Sequence, residues 1–368
     1  MATRTAAVHR VAMPDPGDAS GLVRLIETGV IDPAAVVCIM AKTPGNGLTN
    51  DHTREFATRT VADALAQKLG VAAAAVRDRV LLLFSGGTEG FLAPHLLVFT
   101  RGPAPSGAVP GPALAIGCAR SRPLAPGEIG RSAQLDAATA AARAALADAA
   151  LTAAEVAWVQ VKCPIPLPGA MHGAGAADFA APTVPGMKHV SRAACALGVA
   201  VALGEVARGA IEDDAAIGAR PALRTGRACV TAAIDSPCVE VMTLGMSSAW
   251  AGDCAVGSTV LGDMLDAPAV AALLGRLDLT ASPQLSPAQR GRLIGAILKG
   301  DPPPDDRLRD GHHVMLDDSD ISPVRHYRAA MGGMLGALTG DNHVYLSGGA
   351  EHQAPPGGAA LALLVRRN

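Results

Sequence analysis

The chain has 368 residues, of which 49% are apolar, 17% charged and only 2% aromatic, with a formal net charge of −2. This apolar fraction excludes a disordered chain, and near-neutrality with so few aromatic rings removes both the electrostatic footprint and the stacking platforms of a nucleic-acid binder. Apolar runs such as Ala193–Gly204 and Ala359–Val365 are too short to span a bilayer, the first 18 residues lack a signal-peptide core, and seven Cys without a Cys-x-x-Cys pair fit reduced thiols in the cytoplasm better than disulfides or zinc.

In chain order, Val37–Lys42 reads as an apolar strand ending in lysine, and Arg54–Leu69 as an Ala-rich helix opened by arginine. Val80–Phe84 is a strand that runs into Ser85-Gly-Gly-Thr-Glu-Gly90, and the Gly/Pro-rich stretch Gly102–Pro112 marks a boundary. Trp158–Lys162 repeats the strand with its lysine, and Arg192–Val206 repeats the arginine-led helix. Ala228–Ile234 then supplies a strand, followed by Asp235-Ser236-Pro237 and a further strand, Val239–Leu244. After a small-residue stretch, Ala249–Ser258, the parts recur as Ile294–Lys299, Arg325–Leu338 and His343–Leu346, ending in Ser347-Gly-Gly-Ala-Glu-His352.

The order strand–Lys, Arg–helix, strand–Ser therefore occurs three times, with 12, 30 and 26 residues from Lys to Arg and 31, 44 and 22 from Arg to Ser. One supersecondary unit with different insertions predicts an α/β chain of three small units, residues 1–104, 112–249 and 255–368. Their signatures are Lys42, Arg54 and Ser85; Lys162, Arg192 and Ser236; and Lys299, Arg325 and Ser347. The third arginine has two candidates, Arg325 and Arg328, and the adjacent His326 assigns it to Arg325.

Taken singly, these residues have ordinary explanations. Ser-Gly-Gly after a strand is commonly a turn, with glycine supplying positive φ, and a lysine at a strand end is commonly a solvated terminus. Recurrence in register favours chemistry for Ser85 and Ser347, whereas a polar hairpin residue explains Ser236 nearly as well. Gly45-Asn-Gly47 lacks the third glycine of a dinucleotide fingerprint, and Lys42-Thr43 lacks the glycine that precedes a phosphate-loop lysine. Gly245-Met-Ser-Ser-Ala249 ends in alanine where a nucleophile elbow needs glycine, and the adjacent His312 and His313 do not share a helical face.

The residue types define a chemistry. A serine hydroxyl needs a base to attack at neutral pH, and lysine serves if burial and cationic neighbours keep it neutral, a shift from ~10.4 to ~7 that costs about 4.6 kcal/mol. Arginine stays charged and offers a planar fork to carbonyl oxygens. Gly-Gly after the serine lets backbone N–H groups approach a ligand's oxygens. Three such sets converging on one axis would surround a small flat ring that carries carbonyls.

Lys42-Thr-Pro-Gly-Asn-Gly, Asp51-His-Thr-Arg-Glu55, the two Ser-Gly-Gly-x-Glu segments and Asp317-Asp-Ser-Asp320 before Arg325-His326 resemble the cyanuric acid hydrolase/barbiturase family over essentially the whole chain. The resemblance implies three similar α/β domains around a pseudo-threefold axis with a central active site, where a C–N amide bond of cyanuric acid, or of barbituric acid, is hydrolysed. It implies Ser236 as nucleophile and Lys162 as its base, with Lys42, Lys299, Arg54, Arg192, Arg325, Ser85, Gly86, Ser347 and Gly348 binding the ring. It also implies a structural divalent cation, Mg²⁺ or Ca²⁺, held by Asp301 and by oxygens around Ala350, Gln353, Pro356 and Gly358. A cytoplasmic homotetramer is the expected assembly, with neither nucleic acid nor membrane as partner. Asp235 and Pro237 beside Ser236 depart from the family's small flanking residues, and Asp235 would hold Lys162 protonated. A homologue that binds rings without opening them is the corresponding alternative.

Overall fold

The computed structural model describes residues 4–48, 50–109, 111–173 and 178–367. Its first stretch runs β1 (Arg4–Ala12), α1 (Ser20–Glu27), β2 (Val36–Thr43), α2 (Thr53–Leu69), α3 (Ala73–Arg79), β3 (Leu81–Gly86) and β4 (His95–Pro103). The second runs β5 (Ala113–Arg120), α4 (Ser132–Ala149), β6 (Val156–Pro164), α5 (Pro168–Gly173), α6 (Val184–Ala202), β7 (Ala228–Ala233) and β8 (Glu240–Ser247), and the short β9 (Trp250–Ala251) follows it. The third runs β10 (Cys254–Leu261), α7 (Ala267–Arg276), α8 (Pro287–Arg292), β11 (Leu293–Gly300), the hairpin β12 (Arg307–Leu308) and β13 (Gly311–His312), α9 (Pro323–Thr339), β14 (Val344–Ser347) and β15 (Ala359–Arg366).

Each stretch builds a sheet of the same strand order: β3-β2-β4-β1, β7-β6-β8-β5 and β14-β11-β15-β10. In each, the strand that ends in lysine is interior. It runs parallel to the strand that follows the arginine helix and antiparallel to the strand after that. The expected strands are all present. The stretch Ala249–Ser258 is not a free linker, because β9 pairs with β1 and β10 begins at Cys254; Trp250 is fully buried and its indole N–H donates to Ala149 O (2.8 Å).

Helix ends follow local chemistry. Gly70 (φ 67°) and Gly340 (φ 68°) take the left-handed conformation that closes α2 and α9. The hydroxyl of Thr183 accepts the Gly186 N–H (3.2 Å) and Pro185 sits in the first turn, so α6 starts eight residues before Arg192, not at it. Close packing explains the small-residue composition. A Cβ on Gly117 would lie 1.9 Å from Ala145 O, and one on Gly198 would lie 2.6 Å from Leu135 O, so α4 reaches both its sheet and α6 only because those positions are glycine. One continuous apolar cluster joins Val8 and Phe99 of the first sheet, Trp158 and Val161 of the second, and Ile297 and Tyr345 of the third. No helix among the described residues is long and apolar enough to cross a membrane.

Candidate active site

Strand register decides which residue faces each lysine. Lys42 pairs across the sheet with Ser85 and Lys299 with Ser347, while Lys162 pairs with Thr231. Thr231, and not the expected Ser236, thus occupies the place of the serines. Ser236 lies beyond the end of β7, buried, with its hydroxyl donating to Cys238 O (2.9 Å). Lys162 Nζ donates instead to Asp235 Oδ2 (2.8 Å) and to Leu82 O (3.2 Å), so the expected Ser236–Lys162 pair is not assembled. Backbone conformation accounts for the difference. After Ser85 and Ser347 the chain turns sharply at Gly87 (φ 97°) and Gly349 (φ 77°), a conformation costly for the Ala233 that stands at the same offset. The second loop therefore continues extended through Ala233 and places Asp235 over the lysine of its own sheet.

Lys42 and Lys299 do meet their serines, each with Nζ 3.2 Å from Oγ. Both are fully buried. Lys42 also donates to Gly86 O (2.9 Å), and Lys299 to Gly348 O (2.6 Å) and Val230 O (2.8 Å). Burial first, and then the Arg328 guanidinium, lower Lys42 to about 7. Burial also pushes Lys299 below the ordinary lysine value.

Contacts between sheets run in a closed cycle. Lys162 of the second sheet reaches Leu82 on β3, Lys299 of the third reaches Val230 on β7, and Lys42 of the first lies 5.7 Å from the centroid of the Tyr345 ring on β14. The arginines run the opposite way. Arg54 on α2 donates to Ala232 O (3.4 Å), Arg192 on α6 makes a two-point pair with Glu351 (2.5 and 2.8 Å), and an arginine on α9 pairs with Glu89. That third arginine is Arg328, buried, and not Arg325. Arg325 lies one helical turn nearer the N-terminus and lines a separate surface cavity with Asn46, Thr88 and Glu89.

One central cavity collects these groups: Arg54, Arg192 and Arg328 with Ser85, Thr231 and Ser347, flanked by Gly86, Gly348 and Lys299. Arg54 Nε and Arg328 Nε are buried without a hydrogen-bond partner among the described residues, as atoms awaiting a ligand's oxygens would be. Lys188, four residues before Arg192, completes the wall, lowered to about 8 by burial, Arg54 and Arg192. It also joins this cavity to a wider cleft of about 280 Å³ between α2 and the loop after β7.

Thr231 and Lys188 escaped sequence reasoning, and Arg328 was the candidate set aside in favour of Arg325. A signal for Thr231 existed: Glu89 and Glu351 follow Ser85 and Ser347 by four residues, and Asp235 follows Thr231 by four. Choosing between Arg325 and Arg328 needs the helix's rotation against the cavity, which the residue types do not encode.

The residues expected to hold a cation gather around the third loop. Asp301 accepts the N–H of Gly349 (2.6 Å) and that of Ala350. Gln353 accepts from Val230 N (2.6 Å) and its backbone N–H donates to Ala350 O (2.8 Å), Gly358 O accepts from Tyr327 (2.7 Å), and Pro356 is exposed. One carboxylate with peptide and amide oxygens is an all-oxygen donor set, which suits a hard divalent cation.

A cavity that surrounds a ligand's edge with hydroxyls and guanidiniums, backed by lysines kept from water, defines an enzyme site for a small carbonyl-bearing ring. The sequence profile of the amidohydrolase ring-opening proteins matches residues 7–366, and the chain belongs to that family. A cyanuric acid amidohydrolase of Bradyrhizobium diazoefficiens is 41% identical, with 100% of this chain and 99% of that protein covered. One from Pseudomonas sp. is 37% identical, with 98% of each covered. Among solved structures, a cyanuric acid hydrolase described as an innovation by structural concatenation superposes with a TM-score of 0.92 at 36% identity, covering 99% of this chain and 100% of that one. The cyanuric acid hydrolase of A. caulinodans superposes with a TM-score of 0.87 at 39% identity, covering 99% and 100%.

Proposed function

We propose that this protein hydrolyses one C–N bond of cyanuric acid, opening the ring to carboxybiuret. The observation that carries this reading is the convergence of three hydroxyls, one from each sheet, and three arginines, from α2, α6 and α9, on a single cavity. The cyclic contacts of the lysines and arginines support a pseudo-threefold arrangement of units 1–104, 112–249 and 255–368. Such an arrangement presents similar groups to all three edges of a ring with three alternating carbonyl and N–H groups. The arginines hold ring oxygens and stabilise the charge that develops on the attacked carbonyl.

Barbituric acid replaces one ring N–H by CH₂, which leaves one group of the site unpaired. An unpaired buried polar group costs about 1–3 kcal/mol, so kcat/KM for cyanuric acid is expected to exceed that for barbituric acid by roughly 10–100-fold. Equal values, or a preference for barbituric acid, would replace the substrate; binding of both without ring-opening would replace the reaction.

Asp301, Ala350, Gln353, Pro356 and Gly358 would hold a divalent cation whose part is to brace the loop that carries Ser347. Metal analysis of protein purified without added salts is expected to find about one such ion per chain, and chelator is expected to lower Tm. Metal-free protein whose melting is unchanged by chelator contradicts this.

A further inference from the structure

We propose that in this chain the attacking hydroxyl is Ser85 and its base is Lys42, the first sheet's pair, while the second sheet's lysine is engaged by Asp235 and does not act as a base. The inference rests on the ring-opening reading and assigns its nucleophile.

Three hydroxyl–lysine sets reach the cavity, and their hydrogen bonds rank them. In the second set, Thr231 turns its hydroxyl to Val161 O (3.2 Å) and Lys162 donates to the Asp235 carboxylate (2.8 Å), so each is engaged by another partner. In the third set, Lys299 donates to two carbonyls besides Ser347, so all three ammonium hydrogens have acceptors. In the first set, Lys42 has one carbonyl, Gly86 O, and the Ser85 hydroxyl. The carboxylate whose charge acts on it, Glu89, is taken up by Arg328. Lys42 therefore loses least on becoming neutral, and a neutral amine 3.2 Å from Oγ accepts its proton. Arg328 crowds this set, since a Cβ on Gly87 would lie 3.3 Å from its Cζ, and its buried Nε lacks a partner among the described residues.

The reaction then balances. Lys42 Nζ takes the Ser85 proton as Oγ bonds to a ring carbonyl carbon. The C–N bond breaks and the ammonium proton passes to the departing nitrogen, leaving an ester on Ser85. Water attacks that ester and gives a proton to Lys42; the C–Oγ bond breaks and the proton returns to Oγ. One water is consumed and Lys42 ends neutral.

The test compares Ser85→Ala, Thr231→Ala and Ser236→Ala on cyanuric acid, together with rapid quench of the wild-type enzyme and peptide mapping. Ser85→Ala is expected to lower kcat by roughly 10³-fold or more and Thr231→Ala by much less, while Ser236→Ala stays at wild-type rate. The quenched adduct is expected on the peptide that contains Ser85, a result that does not depend on any variant folding. Wild-type kcat/KM is expected to rise with pH to a plateau, half-complete near 7, as Lys42 deprotonates among Arg328, Glu89, Cys229, Lys299 and Tyr345. An adduct on Thr231, Ser236 or Ser347, or a Ser85→Ala enzyme within tenfold of wild type, overturns the assignment and leaves ring-opening standing. A wild-type enzyme that opens no ring overturns both.

Discussion

Arg328→Ala is expected to lose about 3–5 kcal/mol of stability and at least 10²-fold in kcat/KM, whereas Arg325→Ala stays within about 0.5 kcal/mol of wild type and within a few-fold in rate. The two residues are one helical turn apart on α9 and differ in what they touch. Arg328 has 9% of its side chain exposed and pairs with Glu89, itself 11% exposed. Truncating it leaves a buried carboxylate uncompensated, which costs far more than the pair's net contribution. The same truncation removes a guanidinium from the cavity wall beside Ser85 and Lys42. Arg325 faces a surface cavity and holds no described ion pair. Urea unfolding and kcat/KM with cyanuric acid, measured on both variants, check this. A larger loss for Arg325 than for Arg328 would make Arg325 the third arginine of the cavity.

The strands that carry the lysines were legible because the signal is local. A short apolar run between polar turns reads as a strand, and Lys42, Lys162 and Lys299 each stand near the end of one. The partners were less legible because they depend on register. Ser236 looked like the missing serine since serine is the conspicuous residue after β7, yet a parallel ladder pairs Lys162 with whatever stands opposite, and that is Thr231. The acid four residues on would have corrected this, since Asp235 fixes the frame in which Thr231-Ala-Ala aligns with Ser-Gly-Gly. The pairing of Arg192 with Glu351 and of Arg328 with Glu89 was beyond reach. Each joins residues more than 150 positions apart, and only the closing of three sheets on one another brings them together.

Gly86→Ala is expected to lower kcat/KM by about 10²-fold or more and to cost about 1–3 kcal/mol, although it adds one methyl group. A Cβ at Gly86 would lie 1.8 Å from Asp51 Oδ2, and one at Gly45 would lie 1.9 Å from Oδ1, so the carboxylate is gripped between two glycines with no room to retreat. Asp51 is the pivot of the first set. It accepts the N–H of Gly47 (2.7 Å), the N–H of Thr53 (3.1 Å) and the hydroxyl of Thr53 (2.5 Å), and it lies 3.7 Å from Arg54 Nε. Displacing it frees the first turn of α2 and the arginine that turn carries, while the new methyl group adjoins Ser85 itself. Gly102→Ala provides the comparison, since a Cβ there meets nothing within 4 Å, and it is expected to stay within about 0.5 kcal/mol of wild type. If the clash with Asp51 is the cause, Asp51→Ala and Gly86→Ala combined will cost less than the sum of their separate losses, because the first removes what the second collides with. Strict additivity in that cycle would place the fault elsewhere, in the carbonyl of Gly86 that Lys42 holds at 2.9 Å.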